Sequence, residues 1–115
     1  MTDDARQIKR GLLTIRSESQ GAHLISLHGE MDGANAKALE DELISAEAMS
    51  ASRIVLDLSE LEFIDSSGLA VIMRANERAK NDGHVLRVLR PGGRDGQVSE
   101  MFELCRMDQV LAFGN

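Results

Sequence analysis

The chain has 115 residues, 43% of them hydrophobic, with three Phe, no Trp or Tyr, and a formal net charge of −6. That length supports one domain, whose core must be built from Leu, Ile, Val, Ala and Met. An acidic chain with neither stacking aromatics nor a Lys/Arg stripe repels a phosphate backbone, so nucleic acid is not an expected partner.

Cys105 is the only cysteine, which excludes an internal disulfide and a cysteine-based zinc site. Its helical spacing with Val98, Met101 and Phe102 reads as that of a small buried hydrophobe. No apolar run suggests a signal peptide or a membrane span. The expectation is a cytoplasmic domain without direct membrane insertion.

In chain order, residues 1–10 are polar and mixed in charge and read as a flexible tail, leaving 11–115 as the domain. Gly11 to Arg16 and Ala22 to His28 are strand candidates around the turn Glu18-Ser19-Gln20-Gly21, and are expected to pair as a hairpin. His23 and His28 fall on opposite faces of the second strand; with His84 they read as solvated or capping residues rather than metal ligands. Gly29 breaks the strand, and Asp32 or Asn35 can cap a helix carrying Ala36, Leu39, Leu43 and Ala46 on its apolar face. Glu40, Asp41, Glu42 and Glu47 read as its solvated side.

Arg53 to Leu58 is a nearly unbroken apolar run of the kind that fits a strand buried on both faces. A helix follows to about Lys80, stopped by Asn81-Asp82-Gly83. His84 to Leu89 is another strand, Arg90 to Gly96 a loop, Gln97 to Cys105 a last amphipathic helix, and Val110 to Phe113 a short closing strand. Strand and helix alternate as in parallel βαβ units with right-handed crossovers. The loops after the parallel strands then emerge at one edge of the sheet, where open α/β folds place their sites. Glu30, Asp32, Asp65, Ser66, Arg90 and Arg94 should share that surface, which reads as a partner-binding face.

The period changes from strand to helix at Phe63-Ile64-Asp65-Ser66-Ser67-Gly68-Leu69. Asp and Ser are good helix caps, so capping explains the stretch as well as a functional role does. Asp65 can orient the serine hydroxyl or cap the helix. Gly68 can admit a partner backbone or simply serve helix entry. Catalysis has little support: there is no Gly-X-Ser-X-Gly elbow and no histidine with a route to Ser66. Gly92-Gly93-Arg94-Asp95-Gly96 lacks the Gly-Lys-Ser/Thr end of a phosphate-binding loop, so no cofactor is expected.

Asp65-Ser66-Ser67-Gly68-Leu69 after a hydrophobic strand, Gly29-Glu30-Met31-Asp32 before the first helix, and Arg90-Pro91 together resemble the STAS domain, the family of bacterial anti-sigma factor antagonists and of sulfate-transporter tails. The resemblance implies a single α/β domain with a mixed, mostly parallel sheet, helices and an N-terminal β-hairpin. It also implies a non-enzymatic partner switch. The unphosphorylated domain would bind an anti-sigma factor serine kinase of the histidine-kinase-like ATPase fold and free a sigma factor. Phosphorylation of Ser66 would release the kinase, and a PP2C-type phosphatase would restore binding. Ser67 and Gly68 would join Ser66 in the partner-binding face. Cys105-Arg106 and the glycine-rich Arg90 to Gly96 depart from the family pattern. A STAS subunit of a lipid- or anion-transport complex, a stressosome-type scaffold and a small-ligand binder are the alternatives.

Overall fold

Alternating apolar residues in neighbouring strands give the sheet one core-facing side. In the computed structural model, which describes residues 5–49, 53–89 and 96–107, the chain forms β1 (Arg6–Arg10), β2 (Leu13–Gln20), β3 (Ala22–Met31), α1 (Ala36–Ala48), β4 (Arg53–Ile64), α2 (Ser66–Asp82), β5 (Val85–Leu89) and α3 (Gln97–Leu104). Among these residues the strands form one sheet in the order β1-β2-β3-β4-β5. β1/β2 and β2/β3 are antiparallel; β3/β4 and β4/β5 are parallel. The expected mixed sheet with its hairpin of β2 and β3 is present, but β1 makes the antiparallel junctions as many as the parallel ones.

β1 corrects the reading of residues 1–10 as a tail. Ile8 pairs with Ile15 and packs against the core, while Arg6 forms an ion pair with Glu42 of α1. One apolar residue among four polar ones gives little period-2 signal, and the strand is held by partners far away in sequence. Residues 1–4 and the expected closing strand from Val110 to Phe113 lie outside the described residues.

One sheet face carries Leu13, Ile15, Ile25, Leu27, Ile54, Leu56, Leu58, Leu86 and Val88, all buried and clustered with the apolar faces of the helices. Each such side chain contributes about 1.5–3 kcal/mol on leaving water. The other face is open enough that Val55 and Asp57 are only half-buried, which corrects the expectation of a β4 covered on both sides. Both central strands also outrun their expected ends. β3 continues through Gly29 to Met31 and β4 through Leu61 to Ile64, with register shifts between Ser26 and His28 and between Gly29 and Glu30. These irregularities break the alternation that marks a strand in sequence.

The acidic side of α1 is not a plain solvated face. Glu42 is buried against Arg6. Glu40 accepts from Arg74 Nη2 at 2.6 Å and Arg78 Nη1 at 3.2 Å, and Glu47 accepts from Arg78 Nε at 2.7 Å. The Arg74 hydrogen bonds hold the Glu40 carboxyl below the usual carboxylate range against the opposing effect of desolvation, and Arg78 helps. This network straps α1 to α2.

Two further expectations fail on packing. Cys105 is exposed, because α3 stops at Leu104 and only Val98 and Phe102 of that helix are buried. His23 is buried rather than solvated, with Nε2 2.8 Å from Ser17 Oγ. His28 is exposed and His84 half-buried.

Candidate functional site at the end of the central strands

The turn after β3 and the corner after β4 lie side by side because the two strands are parallel neighbours that end in register, Met31 opposite Ile64. The corner begins at Asp65, whose amide donates to Met31 O at 3.2 Å. Asp65 is extended, with φ −110° and ψ −174°, as an N-cap residue requires. Its Oδ1 accepts from the Ser67 amide at 2.9 Å and the Gly68 amide at 3.2 Å. Two of the donors that open α2 are thereby satisfied by one carboxylate. Of the two roles open to Asp65, the geometry selects capping.

Ser66 and Ser67 are exposed, and among the described residues the Ser66 hydroxyl has no hydrogen-bond partner. Nothing in the described part of the fold therefore depends on that hydroxyl. Ser67 leans toward the turn after β3, where a Cβ on Gly33 would lie 3.5 Å from its Oγ. Gly68, expected on the partner face, is instead buried. A Cβ there would stand 2.7 Å from Ile64 Cγ1 and 2.9 Å from Met31 Cε, so the missing side chain makes room for the domain's own core.

The turn after β3 is organised by Asn35. Its Oδ1 accepts from the Asp32 amide at 2.9 Å, and its Nδ2 donates to Glu30 O at 3.0 Å and Arg10 O at 3.3 Å. Asn35 occupies the N-cap position of α1 but makes no side-chain cap bond; it ties the turn to the end of β1 instead. Asp32 Oδ1 accepts from the Ala34 amide at 3.0 Å. Glu30 and Asp32 are half-buried, and neither forms an ion pair among the described residues. Arg90 and Arg94 lie outside the described residues.

Sequence reasoning missed three contributors. Leu12 and Phe63 are exposed apolar residues beside Glu30, and no local pattern distinguishes them from core residues. Gln97 reaches Ile64 from α3: its Nε2 donates to Ile64 O at 2.8 Å, and its Oε1 accepts from Ile64 N at 2.9 Å. Among the described residues no group of three His, Cys, Asp or Glu is placed to hold a metal. No helix among them is long and apolar enough to cross a membrane.

The chain as a whole is similar to known proteins in sequence and in fold. The family model described as "Mlab, STAS domain" matches residues 15–112, and the chain belongs to the STAS domain family. A putative anti-sigma factor antagonist of Bordetella bronchiseptica, BtrV, is 35% identical over 97 residues, covering 83% of this chain and 79% of the relative. The anti-sigma-F factor antagonist RsfB of Mycobacterium tuberculosis is 32% identical over 62 residues, 54% of this chain and 51% of the relative. Among solved structures, an anti-sigma factor antagonist from Mycobacterium paratuberculosis superposes with a TM-score of 0.78 at 26% identity, covering 90% of this chain and 86% of that one. The antagonist SpoIIAA in its unphosphorylated form gives 0.67 at 16% identity, over 99% and 89% of the two chains, and shares the fold.

Proposed function

We propose that the domain is an anti-sigma factor antagonist that works as a binder and not as an enzyme, with Ser66 as its switch. The observation that carries this reading is the division of labour at the corner. Asp65 supplies the helix cap through Oδ1, while Ser66 is exposed on the first residue of α2. The names of the relatives BtrV and RsfB support the antagonist role. SpoIIAA, which shares the fold, has been solved in a phosphorylated form.

The physical logic is asymmetric. A phosphate brings a charge of about −1.5 to −2, and at the first turn of a helix it faces the positive end of the dipole, a gain of roughly 0.3–1 kcal/mol. The fold accommodates it. A partner packed over the corner would have to bury that dianion beside Asp65, at a cost on the order of 3–5 kcal/mol, or about two to four decades of affinity. The unphosphorylated domain would thus hold an anti-sigma factor serine kinase and free a sigma factor in the cytoplasm. The phosphorylated domain would let the kinase go until a PP2C-type phosphatase acts. Glu30, Asp32, Asp65 and Ser67 would line the contact surface.

The decisive experiment is phosphosite mapping by mass spectrometry on the protein isolated from the cells that make it, with and without stress. A phosphate on Ser66 that declines under stress is the expected result. A protein never modified at Ser66 or Ser67 would replace this reading with that of a STAS subunit of a transport complex, and Asp65-Ser66 would then be a helix cap alone.

A further inference from the structure

Among the described residues β5 pairs with β4 from Arg53↔Val85 to Asp57↔Leu89, and no described strand lies beside the later part of β4 on that side. At Ile64 this matters. Asp65 N turns toward β3, where it meets Met31 O. Along a strand successive residues direct their amide and carbonyl groups to opposite sides, so those of Ile64 point away from β3. Ile64 is fully buried, and an unpaired peptide group there would cost stability.

Gln97 fills the gap. It offers Ile64 one donor at 2.8 Å and one acceptor at 2.9 Å, the same pair of bonds that a residue of a neighbouring strand would supply. The peptide plane joining Ile64 to Asp65 is consequently held from two sides, its oxygen by Gln97 and its N–H by Met31. That plane sets the direction in which Asp65 leaves the sheet, and Asp65 in turn caps the helix that begins at Ser66. Gln97 is itself the first residue of α3. A rotation of the corner peptide must either break the Gln97 bond to Ile64 O or carry the start of α3 with it.

We propose that Gln97 is a positioning residue for the Ser66 corner: its side-chain amide couples the state of Ser66 to the placement of α3. The coupling rests on the reading of Ser66 as the switch, and it gives a docked partner two surfaces that change together. Hydrogen bonds in series through one peptide group polarise and orient one another, which is the physical means of transmission.

The test uses the full chain, isotopically labelled, with Ser66→Asp as the charge probe and no partner present. Backbone amide spectra are compared for wild type, Ser66→Asp, Gln97→Met and the double variant. In the wild-type background the new carboxylate should shift the amides of Val98 to Leu104 as well as those of Ser67 to Leu69. With Met at position 97 the shifts at Ser67 to Leu69 should persist and those in α3 should disappear. Hydrogen exchange at the Ile64 amide should rise by about ten-fold or more in Gln97→Met, with Leu56 unchanged. An α3 that does not respond in the wild-type background, or that responds equally with Met at position 97, overturns the proposal. Gln97→Glu, which keeps the acceptor and loses the donor, gives an independent reading if the Met variant does not fold; persistence of the α3 response there is equally fatal. Because the probe is a carboxylate, this result is separate from whether the cell phosphorylates Ser66.

Discussion

Gly29 lies against the backbone of Leu12: a Cβ at position 29 would stand 2.1 Å from the Leu12 carbonyl oxygen, and the residue holds φ at +101°. The same oxygen accepts from the Glu30 amide at 2.9 Å. The close approach therefore fixes where the turn after β3 leaves the sheet. Gly29→Ala combines a disfavoured backbone with an overlap that only backbone movement can relieve. We expect a loss of about 2–4 kcal/mol, read by urea denaturation. A change under about 0.5 kcal/mol, the range of an ordinary surface substitution, would show that the contact is not needed.

Asp65→Ala removes both cap bonds to α2 and should cost roughly 1 kcal/mol, whereas Asp65→Asn, which keeps an acceptor oxygen in place, should retain most of it. Equal losses in the two variants would mean that the negative charge, and not the capping geometry, is what stabilises the corner.

Ser66→Asp should fold with a melting temperature close to wild type, because nothing in the described fold depends on the hydroxyl and a negative charge suits the start of α2. It should at the same time lose capture of the proposed anti-sigma factor partner by roughly two decades or more. Calorimetry beside a pull-down separates the two effects. A grossly destabilised variant would make Ser66 a structural residue.

The strap between α1 and α2 makes a prediction in pH. The Arg74 hydrogen bonds, with help from Arg78, lower the folded-state pKa of Glu40. Its contribution is thus complete above the ordinary carboxylate pKa and is lost as pH falls through the lowered folded value. Glu40→Gln should cost roughly 0.2–1 kcal/mol at neutral pH, and the difference from wild type should vanish in acid. Urea melts of both proteins at pH 7 and near pH 3 test this; a difference that does not depend on pH would assign the strap to packing.

The corner was legible because its chemistry is local. A cap acts over three residues, so Asp65, Ser66 and the start of α2 stand next to one another in the sequence, and the alternation of strands and helices brings Glu30 and Asp32 to the same edge. What stayed hidden depends on partners far away in the chain. Arg6 gains meaning only from Glu42, and Gln97 only from a strand that ends early on the other side of β4. Gly68 points the opposite lesson: its neighbours in sequence suggested an open surface, and the side chains of Ile64 and Met31 fill the space instead.

β1 forms one edge of the sheet, and three of its five residues, Arg6, Lys9 and Arg10, are cationic. If a second copy added its own β1 in antiparallel fashion around Ile8, Arg6 of each molecule would fall opposite Arg10 of the other and Gln7 opposite Lys9. Like charges facing each other across a ladder oppose pairing, and a charged edge is a common means of preventing it. The strand hardest to see in the sequence therefore also carries the charges that oppose its pairing with a second molecule.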